Sequence, residues 1–161
     1  SQTKWVEEYV KQRDTYWEKG YVSGEDREKI VNHAPCFILL TGQRSSNYKV
    51  VAKQLEKDLF DEGMNVYRYG FQYMRSAISA DIEPKYEELR QEMIQNITEI
   101  AHAFCDAGLV FISSINNLSE FEQKTIEKIM TPFNISVIQL EKETRISQNM
   151  INKILDKIKL R

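Results

Sequence analysis

The strongest constraint on the fold is the alternation, from Cys36 onward, of short apolar runs with longer amphipathic segments. The apolar runs predict strands at residues 36–41, 64–69, 109–114 and 135–140. The amphipathic segments predict helices at residues 46–62, 83–107, 118–130 and 144–159. Because this order is typical of strand–helix–strand units, it predicts an α/β fold with a mainly parallel central sheet and helices on both faces.

Length and charge restrict the class of protein. The chain has 161 residues, 42% of them hydrophobic, and a formal net charge of −2, which suits one domain with its own core. It contains neither an apolar run of about 18 residues nor a signal peptide, so we expect a cytoplasmic location. Interspersed, nearly balanced charges predict neither a nucleic-acid nor a membrane partner. Since the chain begins at Ser1, we expect it to be the carboxy-terminal domain of a longer polypeptide.

The first 21 residues predict an amphipathic connector helix, followed by a single domain over residues 22–161. Gly20 offers a stop signal for this helix. Its apolar face consists of Trp5, Val6, Tyr9, Val10, Tyr16 and Trp17. This face either packs on its own domain or docks on a neighbouring domain or subunit, and Trp5, Tyr9 and Trp17 are the interface candidates in the second case.

Cysteine and histidine do not indicate a metal centre. Cys36 falls in a predicted strand and Cys105 on an apolar helix face, without the spacing of metal ligands. His33 precedes a proline in a loop, and His102 lies in a predicted helix. We expect both cysteines to be buried packing residues, both histidines to be structural or surface residues, and no metal to be bound.

The segment after the first predicted strand lies where a phosphate-binding loop belongs. That loop requires Gly, four residues, Gly-Lys and then Ser or Thr, because bare amides wrap the phosphates, an ammonium reaches them and a hydroxyl binds Mg²⁺. Counting from Gly42 places Asn47, Tyr48 and Lys49 at the last three positions. Asn47 can preserve the turn by adopting a positive φ, whereas Tyr48 and Lys49 remove the cation and the hydroxyl. We therefore predict a degenerate phosphate loop, made up of Gly42, Arg44, Ser45, Ser46, Asn47, Tyr48 and Lys49.

Five segments resemble adenylylsulfate kinases, which phosphorylate adenosine 5′-phosphosulfate with ATP. They are Val-Ser-Gly-Glu-Asp-Arg at 22–27, Phe-Ile-Leu-Leu-Thr-Gly at 37–42, Val-Ala-Lys-Gln-Leu-Glu at 51–56, Glu-Gly-Met-Asn-Val-Tyr at 62–67, and 101–113, which contains Asp-Ala-Gly-Leu at 106–109. The resemblance covers roughly residues 22–140. It implies a three-layer P-loop kinase-like fold.

The resemblance fails at the residues that carry the family's chemistry. Tyr69-Gly70-Phe71 stands where the family has Asp-Gly-Asp, and Arg75 matches the following arginine only with a one-residue shift. Met93, Gln95 and Asn96 align with the family's Asn and arginine pair, although Arg90 is retained from that motif. The family's Pro and Arg are absent from residues 112–117, and its basic lid is unrecognisable in residues 140–145. These alignments define a vestigial substrate site of Tyr69, Phe71, Arg75, Arg90, Met93, Ser113 and Asn116.

The resemblance implies a pseudoenzyme with a structural or regulatory role in a sulfate-assimilation enzyme, such as a GTPase-type sulfate adenylyltransferase fusion protein. Its partner would then be a neighbouring domain or subunit of that enzyme, and no cofactor is expected. One alternative is a sensor that binds a nucleotide or another anion without turnover, since a helix amino terminus attracts anions. A further alternative is an active kinase with a rearranged loop. Only this last reading requires ATP and magnesium, with Asp81 and Glu83 as the nearest acidic candidates.

Overall fold

The fold is an α/β structure in which helices flank a four-stranded sheet. The computed structural model describes residues 2–43, 46–70 and 86–160. The described helices are α1 (Gln2–Tyr16), α2 (Gly24–Val31), α3 (Tyr48–Asp61), α4 (Tyr86–Asp106), α5 (Glu120–Met130) and α6 (Gln148–Ile158). The strands are β1 (Cys36–Gly42), β2 (Val66–Arg68), β3 (Val110–Ser114) and β4 (Asn134–Leu140).

All strand pairs in the sheet are parallel, and the strand order is β2-β3-β1-β4. In the register, Cys36 of β1 pairs with Val110 of β3 on one side and with Asn134 of β4 on the other. Every residue of β1 is buried, as expected for an inner strand of a sheet that is covered on both faces. The carboxyl ends of β1, β2 and β3 therefore meet at one edge, which is where ligands bind in sheets of this kind.

Two hydrophobic clusters pack on opposite faces of the sheet because successive side chains of a strand alternate between faces. Phe37 and Leu39 of β1 join residues from α1, α4 and α5 in one cluster. Ile38 and Leu40 join residues from α3 and α6 in the other. The predicted three-layer α/β fold is thereby confirmed.

The predicted strands and the later helices match the observed elements to within four residues at each described end. Helix α2 was not predicted, because none of its residues is buried and its apolar periodicity is weak. Its sequence signal is a capping box, in which the Ser23 hydroxyl accepts from the Asp26 amide and the Asp26 carboxylate accepts from the Ser23 amide. Helix α1 ends at Tyr16, before the predicted stop at Gly20.

Helix α1 lies against its own domain. Val6 is buried in the cluster formed with α4 and α5, and Trp5, Tyr9 and Val10 pack around it. The Arg13 guanidinium donates a hydrogen bond through Nη1 to the Ile129 carbonyl of α5. Part of the apolar face predicted for this helix is therefore used within the chain, while Tyr16 remains 82% exposed.

Candidate functional site

The candidate site lies at the carboxyl ends of β1, β2 and β3, beside the start of α3. A cavity of about 650 Å³ opens there. The lining includes Tyr48, Lys49 and Lys53 from α3, together with Tyr69 and Ser113 from the strand ends. Its size suits a small ligand.

Gly42, the first residue of the predicted phosphate loop, is required by the packing of the sheet itself. A Cβ atom at this position would lie well inside contact distance of the Leu140 carbonyl oxygen on β4, and near the Ser46 hydroxyl. Because the clash is with backbone, a flexible side chain cannot relieve it. The glycine is thus explained by the close approach of β1 and β4, without any phosphate.

Tyr48 is turned into the protein, with its ring in the hydrophobic core and its hydroxyl on the loop backbone. Only 4% of Tyr48 is exposed, and its ring joins Val51 and Leu55 in the cluster beneath α3. Its Oη donates a hydrogen bond of 2.5 Å to the carbonyl oxygen of Gly42. At the position where a phosphate loop has lysine, this chain has a buried phenol that bonds to the loop backbone.

Two amides of the loop donate within the loop itself. The Ser46 amide donates to the Gln43 carbonyl at 2.9 Å, and the Tyr48 amide donates to the Ser46 carbonyl at 3.0 Å. Asn47 has φ −87°, so the turn does not use the positive φ that asparagine can adopt. The internal bonds keep the turn without it. Arg44 and Ser45, also assigned to the loop, lie outside the described residues.

The connection between β3 and α5 closes over the end of β1. The Asn117 amide donates to the Gly42 carbonyl at 2.8 Å, so that this oxygen accepts from both Asn117 and Tyr48. The Leu118 amide donates to the buried Thr41 hydroxyl at 3.0 Å. Asn117 adopts φ 51°, a left-handed conformation that asparagine tolerates better than most residues. These bonds tie the loop to a neighbouring connection.

Arg90 of α4 holds this connection from the other side. Its Nε and Nη2 atoms donate to the two carboxylate oxygens of Glu122 at 2.9 and 2.7 Å, and its Nη1 donates to the Asn116 carbonyl at 3.1 Å. Burial alone would raise the pKa of Glu122, but hydrogen bonds from Arg90 and the Ser119 amide, with the charge of Arg90, outweigh burial and lower the pKa. Arg90 thus binds a carboxylate of its own chain.

The open part of the cavity carries positive charge. Lys49 and Lys53 are exposed and lie one turn apart on α3. Arg68 also lines the cavity, but its Nε donates to Glu56 Oε1 at 3.1 Å, so its charge is partly balanced. The Ser113 hydroxyl donates to the Tyr69 carbonyl at 2.7 Å and holds the ends of β2 and β3 together.

The structure divides the predicted site residues among three places. Tyr48, Lys49, Tyr69 and Ser113 line the cavity. Arg90 and the Asn116 carbonyl belong to the network around Glu122. Met93 packs against the cluster beneath α1. The remaining two residues of the predicted substrate site, Phe71 and Arg75, lie outside the described residues.

Sequence reasoning missed Glu122, Asn117, Lys53 and Arg68. Glu122 had a sequence signal, because Ser119-x-x-Glu122 is a capping box and the structure shows both of its hydrogen bonds. Its pairing with Arg90 spans 32 residues and had no local signal. Lys53 lies one turn after Lys49 on a predicted helix, so this spacing could have identified it.

The cysteines and His33 have structural environments. Both cysteines are buried and free, and burial raises the pKa of the Cys36 thiol to about 12 and also raises that of Cys105. His33 Nδ1 lies 2.8 Å from the Ala34 carbonyl, and its Nε2 accepts from the Asn65 amide at 2.9 Å. Within residues 2–43, 46–70 and 86–160, no group of three or more His, Cys, Asp or Glu side chains could hold a metal ion. None of the helices in these ranges combines the length and apolarity needed to cross a bilayer.

Comparisons with known proteins identify relatives. A sequence model of the family described as adenylylsulphate kinase matches residues 34–148. The adenylyl-sulfate kinase of Thermodesulfovibrio yellowstonii is 32% identical over 115 residues, which is 71% of this chain and 56% of that protein. The probable adenylyl-sulfate kinase of Halalkalibacterium halodurans is 34% identical over 94 residues, 58% of this chain and 46% of that protein. The chain thus spans about half the length of these curated relatives.

A solved structure supports the fold. The crystal structure of the protein APE1195 superimposes with a TM-score of 0.56, covering 79% of this chain and 69% of that chain at 19% identity. This likeness agrees with the parallel sheet and its flanking helices.

Proposed function

The chain belongs to the adenylylsulphate kinase family, and from this premise we propose that it is a catalytically inactive member with a structural or regulatory role in a sulfate-assimilation enzyme. The observation that carries the proposal is the buried Tyr48, which bonds to Gly42 where the phosphate loop of a kinase needs a lysine. The neighbouring domain or subunit of that enzyme is the proposed partner.

ATP and magnesium do not fit the described part of the loop. A phosphate is held by unpaired amides and an ammonium group, but the Ser46 and Tyr48 amides donate inside the loop and a phenol replaces the ammonium. Lys49 takes the place of the hydroxyl that would bind magnesium, and its side chain is exposed. We therefore propose no ATP- or magnesium-dependent step for this chain.

The acceptor side supports the same conclusion. Phosphoryl transfer depends on positioned cations and a residue that orients the attacking hydroxyl, and removal of one such stabilising group costs about 10²–10³-fold in rate. Tyr69 replaces a carboxylate of the family pattern, and the retained Arg90 binds Glu122 and the Asn116 carbonyl. Several losses of this size together remove the catalytic advantage.

The same interactions favour a structural role. Through the Gly42 carbonyl, Asn117, Arg90 and Glu122, hydrogen bonds connect β1, α3, α4 and the start of α5. In an active enzyme of this fold, residues at this edge of the sheet bind a ligand. In this chain, their hydrogen-bonding groups bind one another, as expected for a domain with a structural role.

A calorimetric titration with ATP–Mg and with adenosine 5′-phosphosulfate tests the proposal. The proposal predicts no saturable heat from ATP–Mg in either the wild type or Lys49→Ala. Saturable ATP–Mg binding that Lys49→Ala weakens at least tenfold would contradict it, because the loop would then bind phosphate.

The proposed partner contact is tested in the complete polypeptide. Trp5→Ala and Trp17→Ala are expected to weaken domain association or the activity of the parent enzyme. Lys11→Ala is the matched control, because Lys11 is exposed on the same helix but lies outside the apolar face, and a thermal melt of each variant separates lost docking from lost folding. Unchanged assembly and unchanged parent turnover in both tryptophan variants would count against a docking role for this segment.

A sensor that binds an anion without turnover is the second candidate, and the exposed Lys49 and Lys53 beside the 650 Å³ cavity favour it. The double variant Lys49→Ala, Lys53→Ala should then lose binding of adenosine 5′-phosphosulfate. Lys57→Ala is the control, because Lys57 lies one turn further along α3 and pairs with Asp61. Equal affinity of the wild type and the double variant for adenosine 5′-phosphosulfate would contradict the sensor hypothesis.

A further inference from the structure

His102 lies at the junction between the amino-terminal segment and the body of the domain. Its ring, on α4, meets the Trp17 ring edge-on with centroids 4.7 Å apart, and the Phe133 ring with centroids 5.0 Å apart. Trp17 follows α1, and its amide donates to the Arg13 carbonyl at 2.8 Å. His102 thus fills the space between the end of the amino-terminal segment and the connection from α5 to β4.

The environment of the ring suits only the neutral imidazole. His102 is 7% exposed, and its Nδ1 is buried without a hydrogen-bond partner in the part of the chain that the structure describes. An imidazolium needs a partner for each N–H, so protonation here would bury an unpaired charged donor. Burial and, secondarily, the nearby Arg13 charge lower the pKa of His102, while Asp106 and Asp14 oppose them more weakly.

The charged groups around the ring come from two helices. Arg13 and Asp14 belong to α1, and Asp106 and Glu99 belong to α4. Arg13 binds Asp14 through Nε and Nη2. The connection from α5 to β4 contributes Phe133, which cannot titrate.

A cavity adjoins the histidine. A cavity of about 320 Å³ lies beside the ring, lined by residues that include Tyr9, Arg13, Trp17, Glu99 and His102. Most of these residues come from α1 or directly follow it, so movement of the amino-terminal segment would open the cavity and hydrate the ring. A hydrated imidazole can take up a proton without the cost of burial.

We propose that His102 is a pH-sensitive latch: the neutral ring holds residues 2–17 on the domain, and mildly acidic pH releases them. The direction follows from linkage. A histidine whose pKa is lower in the closed state stabilises that state fully above its ordinary value of about 6.5, and this stability is lost as the pH falls through the closed-state pKa. The equilibrium for opening rises by up to about tenfold for each pH unit within that window.

Hydrogen exchange tests the latch directly. Protection of the α1 amides, corrected for intrinsic exchange, is compared at pH 7.5 and pH 5.5 in the wild type and in His102→Phe, with the β1 amides as the internal reference. We expect α1 protection in the wild type to fall several-fold relative to β1 at pH 5.5, and to change less than twofold in His102→Phe. Equal pH responses in the two proteins, or no response in the wild type, would overturn the latch.

A second measurement keeps the proposal falsifiable if His102→Phe does not fold. The sequence contains two histidines, so the ring signals of His102 can be followed by NMR in the wild type and assigned by comparison with His33→Gln or His102→Gln. The latch predicts a His102 midpoint below 6.5, with the Trp17 indole signal shifting at the same midpoint. A midpoint at or above 6.5, or a Trp17 signal that ignores it, would contradict the latch.

Discussion

Tyr48 stabilises the start of α3 through two kinds of contact. It keeps its ring in the core and its hydroxyl on the Gly42 carbonyl, so that one side chain supplies apolar packing and satisfies a loop oxygen. Counting along the phosphate-loop pattern from Gly42 predicted that Tyr48 replaces the lysine of that pattern. The inward orientation of the hydroxyl could not be predicted, because it depends on how closely β1 and the connection after β3 approach.

Tyr48→Phe removes the hydroxyl and keeps the ring. The Gly42 carbonyl retains its bond from the Asn117 amide, so the expected loss is that of one hydrogen bond, about 1 kcal/mol of unfolding free energy. Urea denaturation measures this change. Tyr21→Phe is the control, because Tyr21 is fully exposed and should change stability by less than about 0.5 kcal/mol. Equal stability of Tyr48→Phe and wild type would show that this bond contributes nothing.

Gly42→Ala should destabilise the fold for a reason that is independent of phosphate binding. The new Cβ would meet the Leu140 carbonyl, and separating β1 from β4 costs about 1–3 kcal/mol or more. Gly20→Ala is the matched control, since nothing lies within 4 Å of a Cβ built there. Thermal melts of both variants test the prediction. A Gly42→Ala protein as stable as Gly20→Ala would refute the packing explanation for this glycine.

Among the elements, α5 links the core to the candidate site. Its first turn contains Glu122, whose carboxylate accepts from the Ser119 amide and from Arg90, so the helix cap and the ion pair share one side chain. The cap is readable from the sequence as Ser119-x-x-Glu122, whereas the partner on α4 is not. The local sequence pattern thus predicted where α5 begins, whereas its ion pair with Arg90 depends on a long-range contact.

Glu122→Gln should weaken this junction and reduce its pH dependence. Loss of the charge-assisted bonds from Arg90 is expected to cost about 1.5–3 kcal/mol at neutral pH. Because the folded-state pKa of Glu122 is lowered, its contribution is present above the ordinary value of about 4.3 and lost as the pH falls through the folded-state pKa. Urea midpoints at pH 7 and at pH 3 should therefore differ more in the wild type than in Glu122→Gln.

Glu120→Gln is the control for this experiment. Glu120 lies in the same first turn, but its partner Lys124 is 3.4 Å away in an exposed pair, which is worth less than about 1 kcal/mol. If Glu120→Gln and Glu122→Gln behave alike at both pH values, the buried pair with Arg90 is not what stabilises the junction.

At the scale of the whole molecule, the alternation of apolar runs and amphipathic helices was enough to predict the sheet and the layers around it. Inner strands are continuous apolar runs, and β1 is buried at every residue. Helix α2 escaped prediction because it buries none of its residues. The hydrogen-bond network from Tyr48 to Glu122 was not predicted either, because its members come from distant parts of the chain and meet only when the sheet has formed.

Repair of the loop alone should not produce a kinase. In the triple variant Asn47→Gly, Tyr48→Lys, Lys49→Ser, the loop pattern returns, but Tyr69 still stands where the family has a carboxylate and Arg90 still binds Glu122. We expect no turnover of adenosine 5′-phosphosulfate by this variant, checked after circular dichroism has shown that it is folded. Turnover by the triple variant would mean that the acceptor side is intact.

The central claim, that this family member has kept the architecture and lost the phosphoryl transfer, is tested most directly by assay of the wild-type chain. Transfer from radiolabelled ATP to adenosine 5′-phosphosulfate is measured in the presence of magnesium, with the adenylyl-sulfate kinase of Thermodesulfovibrio yellowstonii as the positive control. We predict no labelled product above the enzyme-free background. Product that increases in proportion to the concentration of the chain, and that Lys49→Ala abolishes, would contradict the claim.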